Sequence, residues 1–160
     1  MKINGDLFIG NTSTTLEDCI PHQKSVMTLT MSTTQSSVAS NTIVKFDQEN
    51  HIGNGLSFNS STRAIVIGAG ISKVLVGYSL GVRYTASTGK SYGGVLIKNG
   101  STIYNTQAFA HKSIGEPISC STFGVLIDVQ EGDYIQLKTN FTATADITDV
   151  ATSLTVEEIA

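Results

Sequence analysis

From Ser25 onward, apolar and polar side chains alternate with the two-residue period of a half-buried strand. The clearest run covers residues 73–84. Val74, Val76, Tyr78, Leu80, Val82 and Tyr84 share one parity, and Lys73, Leu75, Gly77, Ser79, Gly81 and Arg83 share the other. Successive side chains of a strand point to opposite faces, so six apolar positions in step predict a strand and leave no room for a helix. Shorter runs repeat the pattern. Met27, Leu29 and Met31 alternate with Thr28 and Thr30, and residues 43–46 are apolar except for Lys45. Residues 63–67 are nearly continuous, as in a strand buried on both faces. Strands at 94–98 and 102–110 flank Asn99-Gly100, a strong short-range hairpin signal. Phe123, Val125, Ile127 and Val129 share a parity and lead through Glu131-Gly132 into a strand at 134–138, and a last strand covers 154–159. Eight to ten short strands, with no helix beyond a turn or two, predict an all-β sandwich or barrel.

Two segments fall outside this rhythm. Residues 1–24 form a leader with a strand-like piece at Leu7, Phe8 and Ile9, then Thr14 and Glu17 at capping-box spacing, a helix start that Pro21 would end. The leader is either a flexible terminus or an attachment arm that packs on another protein, and residues 25–160 form the β domain. Residues 32–41 are rich in hydroxyls and predict a surface loop.

Composition sharpens the class. The 160 residues include 18 serines and 20 threonines, and only 14% are charged, against about a quarter in an ordinary globular chain. The solvent face of this protein is therefore built from hydroxyls. Ten basic residues against 13 acidic ones, with only Arg63 and Arg83 as arginines, argue against nucleic-acid binding, which draws on clustered Lys and Arg. No apolar run reaches the length of a membrane span. The opening residues lack the apolar stretch of a secretory signal, so either the protein is not exported by that route or its signal is already removed. Cys19 and Cys120 are too few for a disulfide framework. Two reduced thiols, with Cys120 packed as a small hydrophobe, are expected, and a bridge between leader and domain is the other reading.

Several landmarks occur in a recognisable order. Phe46-Asp47 follows a β-branched strand, then come Asn54-Gly55-Leu56-Ser57-Phe58, the Gly68-Ala69-Gly70 turn and the long alternating strand. Lys98-Asn99-Gly100 with Ile103 follows, and then the run from Val129 through Glu131-Gly132-Asp133-Tyr134 to Leu137. In this order the chain resembles the jelly roll shared by complement globular heads and tumour-necrosis-factor-like proteins, over about residues 25–160. The resemblance implies a sandwich of about ten strands that assembles as a homotrimer. The leader Ile3-Asn4-Gly5-Asp6-Leu7-Phe8-Ile9-Gly10 is similar to those of bacteriophage virion appendages, in which a leader docks on the particle and the jelly roll points outward. It implies a non-enzymatic protein of the virion surface, made in the host cytoplasm, that joins other virion proteins through its N-terminal arm. Such an appendage binds a host surface polysaccharide or serves as a structural fibre or decoration protein. A bacterial adhesin or signalling ligand and an enzyme are the remaining alternatives.

The chemistry legible in the residues is sparse. His22, His51 and His111 sit in unrelated segments without metal-ligand spacing. Asp133, Asp146 and Asp149 could build an oxygen cage for calcium, but no Asp-x-Asp-x-Asp loop is present and solvated loops are expected instead. No nucleophile elbow and no phosphate-cradling loop occur, so neither catalytic residues nor a cofactor is expected. Tyrosine serves as core or interface on an apolar parity and as a sugar platform in an outward loop. Tyr78, Tyr84 and Tyr134 are accordingly expected in the core or at the trimer interface, and Tyr92 and Tyr104, near loop ends, as ligand contacts.

Overall fold

A computed structural model describes residues 6–9, 12–15, 23–83, 90–103, 105–112 and 118–159, with backbone alone at 6–9, 12–15 and 111–112. The alternating segments build two six-stranded sheets in which every pairing is antiparallel. The first contains β3 (Val26–Thr30), β4 (Gln35–Val38), β5 (Gln48–Ile52), β8 (Lys73–Arg83), β12 (Ile118–Asp128) and β14 (Ala145–Glu158). Its order is β12-β8-β14-β3-β5, with β4 also on β14. The second contains β6 (Leu56–Asn59), β7 (Ala64–Ile67), β9 (Lys90–Lys98), β10 (Ser101–Thr102), β11 (Ala108–Lys112) and β13 (Tyr134–Phe141). Its order is β10-β9-β13-β7-β6, with β11 also on β9. From β7 onward the long strands alternate between the sheets, which makes the architecture a jelly-roll sandwich. A separate hairpin pairs β1 (Asp6–Ile9) with β2 (Thr12–Thr15).

The predicted parity is what closes the sandwich. Val74, Val76, Tyr78, Leu80 and Val82 of β8 point inward with Leu154 and Val156 of β14, and meet Leu96, Ile135 and Leu137 of the other sheet in one core. Tyr78 is fully buried and spans the layers. Its hydroxyl lies 2.6 Å from the Gly94 carbonyl and 3.0 Å from that of Thr106, and accepts the Ala108 N–H at 3.0 Å. Position 94 must be glycine, because a Cβ there would come within 2.7 Å of the Tyr78 ring. Burial pushes the Tyr78 phenol above its ordinary range, so it stays a neutral donor.

The turns follow local chemistry. Asn99 and Gly100 adopt φ of 51° and 80°, the left-handed pair that a tight hairpin demands. Other features differ from the sequence reading. The two sheets hold more strands than the eight to ten expected. The hydroxyl-rich segment 32–41 contains β4, fastened by the Gln35 amide, which donates to the Lys45 carbonyl at 2.7 Å and accepts its N–H at 3.2 Å. All five residues of β5 are exposed, so no hydrophobic alternation marks that edge strand. Residues 43–46 bury Val44 and Phe46 but form no strand: an isolated bridge joins Ile43 to Lys138, Gln35 of β4 holds Lys45, and the Arg63 guanidinium donates to the Phe46 carbonyl at 2.9 Å. The expected strand at 102–110 is split into β10 and β11. Between them the buried Thr106 hydroxyl donates to the Ile103 carbonyl at 2.7 Å and accepts the Leu96 N–H at 3.1 Å. Thr14, expected near a helix start, lies in β2; residues 16–22 lie outside the described residues.

Phe123 is the main reversal. Thr122 pairs with Tyr78 and Val125 with Val76, so Phe123 and Gly124 together oppose Gly77 in a β-bulge. Gly124 supplies the positive φ, 74°. The extra residue puts Thr122 and Val125 on the inner side and turns Phe123 out, where it is 76% exposed.

Candidate functional site

The outer face of the first sheet carries the feature that a lone sandwich does not need. Leu126 stands opposite Leu75 across β12 and β8, and Phe123 lies over Gly77 on the same face. Leu126 is 57% exposed. Small hydroxyl side chains surround this apolar row: Ser79 and Ser121 pair across strands, and the Thr28 and Thr155 hydroxyls lie 3.0 Å apart. Within β8 the charges keep to its ends, at Lys73 and Arg83, and on β14 Glu157 stands opposite Leu75. Ile52 is exposed at the far edge strand, and Phe109 at the edge of the second sheet beside β12. A contiguous exposed apolar patch ringed by polar residues marks a surface made for contact.

A second constellation joins two of the sequence motifs. Asp133 is 3% exposed, yet its carboxylate accepts the Lys98 ammonium at 2.7 Å, the Asn99 amide at 2.6 Å and the Gln130 N–H at 2.9 Å. Asn99 in turn accepts the Tyr134 N–H at 2.9 Å, and Lys98 also donates to the Asp128 carbonyl at 2.7 Å. Burial pushes the Asp133 carboxyl up, but the Lys98, Asn99 and Gln130 donors outweigh it and hold the group below its ordinary value. The Lys-Asn-Gly hairpin and the Gly-Asp turn thus meet in one brace. The other acids serve elsewhere. Asp47 accepts the Ser32 hydroxyl and N–H, bonds that lower its carboxyl. Asp146 accepts the Ser37 N–H at 2.9 Å, and Asp149 the Thr34 hydroxyl at 3.0 Å.

The structure does not bring Asp133, Asp146 and Asp149 together as an oxygen cage. Among the described residues, no group of three or more His, Cys, Asp or Glu side chains is placed to hold a metal ion. His51 is exposed on β5, His111 lies in β11, and His22 falls outside the described residues. Cys120 is a free thiol packed inside β12, and burial raises its pKa; Cys19 also falls outside.

The tyrosines need a correction. Tyr92, expected as an outward contact, is fully buried, with its ring edge-on to Phe141 at 5.3 Å and 67°. It sits on the inward parity of β9 rather than at a loop end, because β9 begins at Lys90. Tyr78 lies in the core and Tyr134 is half-buried on β13. Tyr84 and Tyr104 lie outside the described residues. The exposed apolar residues Phe109, Leu126 and Val150 escaped the sequence reading. For Phe123 a signal existed, since the glycine after it is the usual mark of a bulge in a strand.

No protein-family profile and no curated protein matches the sequence. Solved structures do. Eiger, a TNF from S. frugiperda, superposes with a TM-score of 0.67 at 9% identity, covering 85% of this chain and 92% of that one. Murine APRIL at pH 5.0 superposes with a TM-score of 0.65 at 17% identity, covering 86% of this chain and all of that one. Identities this low speak for architecture alone: the chain has a TNF-like jelly-roll fold.

Proposed function

We propose that this chain is a homotrimeric, non-enzymatic jelly-roll appendage of a bacteriophage particle that contacts a polysaccharide on the host surface. The observation that carries self-association is the outward row of Leu75, Phe123 and Leu126 on the first sheet. Copies around a threefold axis would cover such a row with like surface and close without leaving a free patch. The TNF-like fold supports the same reading. The use of Asp47, Asp133, Asp146 and Asp149 as structural acceptors supports a binding or scaffolding role over catalysis. Residues 1–24 are the attachment arm to other virion proteins. The short β1–β2 hairpin supports this, because an isolated two-stranded hairpin is marginal in water until something packs on it. The low-charge, hydroxyl-rich exterior of residues 25–160 matches the neutral donors and acceptors of a glycan.

One observation favours the structural alternative, a capsid fibre or decoration protein without receptor binding. Tyr92 is buried, which removes one of the two aromatic platforms assigned to a sugar. Light scattering at micromolar concentration tests the assembly. It should give about three chain masses of 16.9 kDa, and Phe123→Asp should lower the mass to one while the far-ultraviolet spectrum keeps its β form. A wild-type monomer would refute the proposal. Saturable binding to host cell walls supports the receptor reading, and its absence with loss of particle integrity on deletion supports the structural one.

A further inference from the structure

The hydroxyl-rich segment 35–45 borders a cleft of about 450 Å³, lined by the apolar Val38 and Ala39 and the polar Ser36, Ser37, Thr42 and Lys45. Its backbone is tied down from several sides. Gln35 holds both the N–H and the carbonyl of Lys45, and Asp146 of β14 accepts the Ser37 N–H at 2.9 Å. From β13 the buried Thr139 hydroxyl donates to the Ala39 carbonyl at 2.8 Å and accepts the Thr42 N–H at 2.9 Å. The Asn41 N–H donates to the Thr139 carbonyl at 3.0 Å, and the Ser40 hydroxyl accepts the Phe141 N–H at 2.9 Å. A cleft fastened to both sheets is preformed, so little ordering entropy remains to be lost when a ligand enters.

The frame leaves one kind of chemistry unused. Among the described residues, no hydrogen bond engages the hydroxyls of Ser36, Ser37 or Thr42, and no ion pair engages Lys45. Ser37 also sits at a φ of 55°, a left-handed conformation that is costly for a side chain and free for glycine. Strain of this kind gathers at ligand clamps. Position points the same way. Val38 pairs with Ala145 at the start of β14, whereas the leader joins the domain beside Val26, opposite Glu157 near the end of that strand. The two sites lie roughly 30 Å apart along β14, so a particle gripped through the leader leaves the cleft at the far end. Ile147 is flanked by Val82 of β8 on one side and Gln35 of β4 on the other. The cleft is therefore across β14 from the apolar row of Leu75, Phe123 and Leu126 and stays clear of it.

We propose that this cleft seats a pyranose unit of the host polysaccharide. The inference rests on the receptor reading above and gives that reading a site. A pyranose carries neutral hydroxyls around its rim and C–H groups on its faces, and the cleft offers three free hydroxyls beside Val38 and Ala39. Its volume lies in the range of small-molecule sites, which begins near about 300 Å³. Lys45 adds one donor to the rim. A single ammonium is too little for a polyphosphate or nucleic-acid partner, which draws its affinity from several cations.

Titration of the isotopically labelled full chain tests it, with the methyl pyranosides of glucose, galactose, N-acetylglucosamine and rhamnose as probes. At least one should shift the backbone amide signals of residues 35–45 and saturate with a Kd of about 1–10 mM. Ser37→Gly removes a hydroxyl and suits the backbone, so it should weaken binding about threefold or more without lowering Tm. Ser36→Ala and Thr42→Val should weaken it by a similar factor, with the melt and the assembled mass unchanged. Signals that move only outside residues 35–45, or no movement with any of the four sugars, overturn the site. If wild type binds host cell walls saturably and the three variants bind equally well, the cleft is rejected while the receptor reading stands. A wild type that binds no host wall defeats the receptor reading, and the cleft falls with it.

Discussion

The brace around Asp133 offers a direct test of how two distant turns hold the sandwich. Changing Asp133→Asn keeps the shape and one acceptor but replaces a carboxylate oxygen with an amide nitrogen. That nitrogen must face one of three donors already in place, the Lys98 ammonium, the Asn99 amide or the Gln130 N–H. A hydrogen bond to a charged group contributes about 1.5–3 kcal/mol, and a buried donor left facing a donor costs about 1–3 kcal/mol more. Lys98 is 29% exposed, so its ammonium can rehydrate and the lower part of the combined range applies, about 2.5–4 kcal/mol. In a chain of this size that lowers Tm by roughly 5–15 °C. The assay is thermal unfolding by circular dichroism at one fixed protein concentration, since assembly shifts Tm by mass action. The pH dependence gives a second reading. The folded carboxyl titrates below its ordinary value of about 3.9. Its contribution is therefore complete above that pH and is lost as pH falls through the folded value. The gap between wild type and variant should be full near neutrality and narrow steadily in acid. A variant melting within about 1 °C of wild type near neutrality, or a gap that ignores acid, would refute the argument. The exposed Lys73–Asp128 pair at 3.5 Å is the control: Asp128→Asn should leave Tm unchanged.

Three other outcomes follow from the packing. Val76→Asp puts a carboxylate at a fully buried site and should abolish the cooperative melt. Val125→Asp, on the half-buried side of the bulge, should lower Tm without abolishing the melt, and equal behaviour of the two would contradict the bulge. Gly94→Ala forces a methyl group against the Tyr78 ring and should cost about 1–3 kcal/mol, with a changed near-ultraviolet tyrosine signal; a neutral result would mean the layers have slack there. In a Cys19→Ser background, Cys120 should resist a thiol reagent near neutral pH until denaturant is added, because burial both shields the thiol and disfavours its thiolate. Fast labelling of the native protein would disprove that placement.

The β class, the inward residues of β8 and the Asn99-Gly100 hairpin were legible in the chain, because side-chain parity and turn chemistry are local properties. The candidate surface was not. Phe123 and Leu126 face outward only because Gly124 allows an extra residue opposite Gly77, and one such insertion reverses parity for everything before it. Tyr92 was misplaced because its seat beside Phe141 depends on where β9 begins and on β13, roughly fifty residues further along the chain.

What the sequence alone determined is therefore the set of alternating segments and their tight turns, together with a hydroxyl-rich exterior poor in charge. Tertiary structure decided which segments became neighbours. It paired the featureless Gln48–Ile52 with β3, brought Lys98 and Asn99 to Asp133, and raised Val150 on a bulge of β14. The physical reason is that an edge strand, a half-buried ion pair and a bulge all take their stabilisation from partners far away in sequence. A local pattern of hydrophobicity records that burial is required, but not which distant side chain provides it.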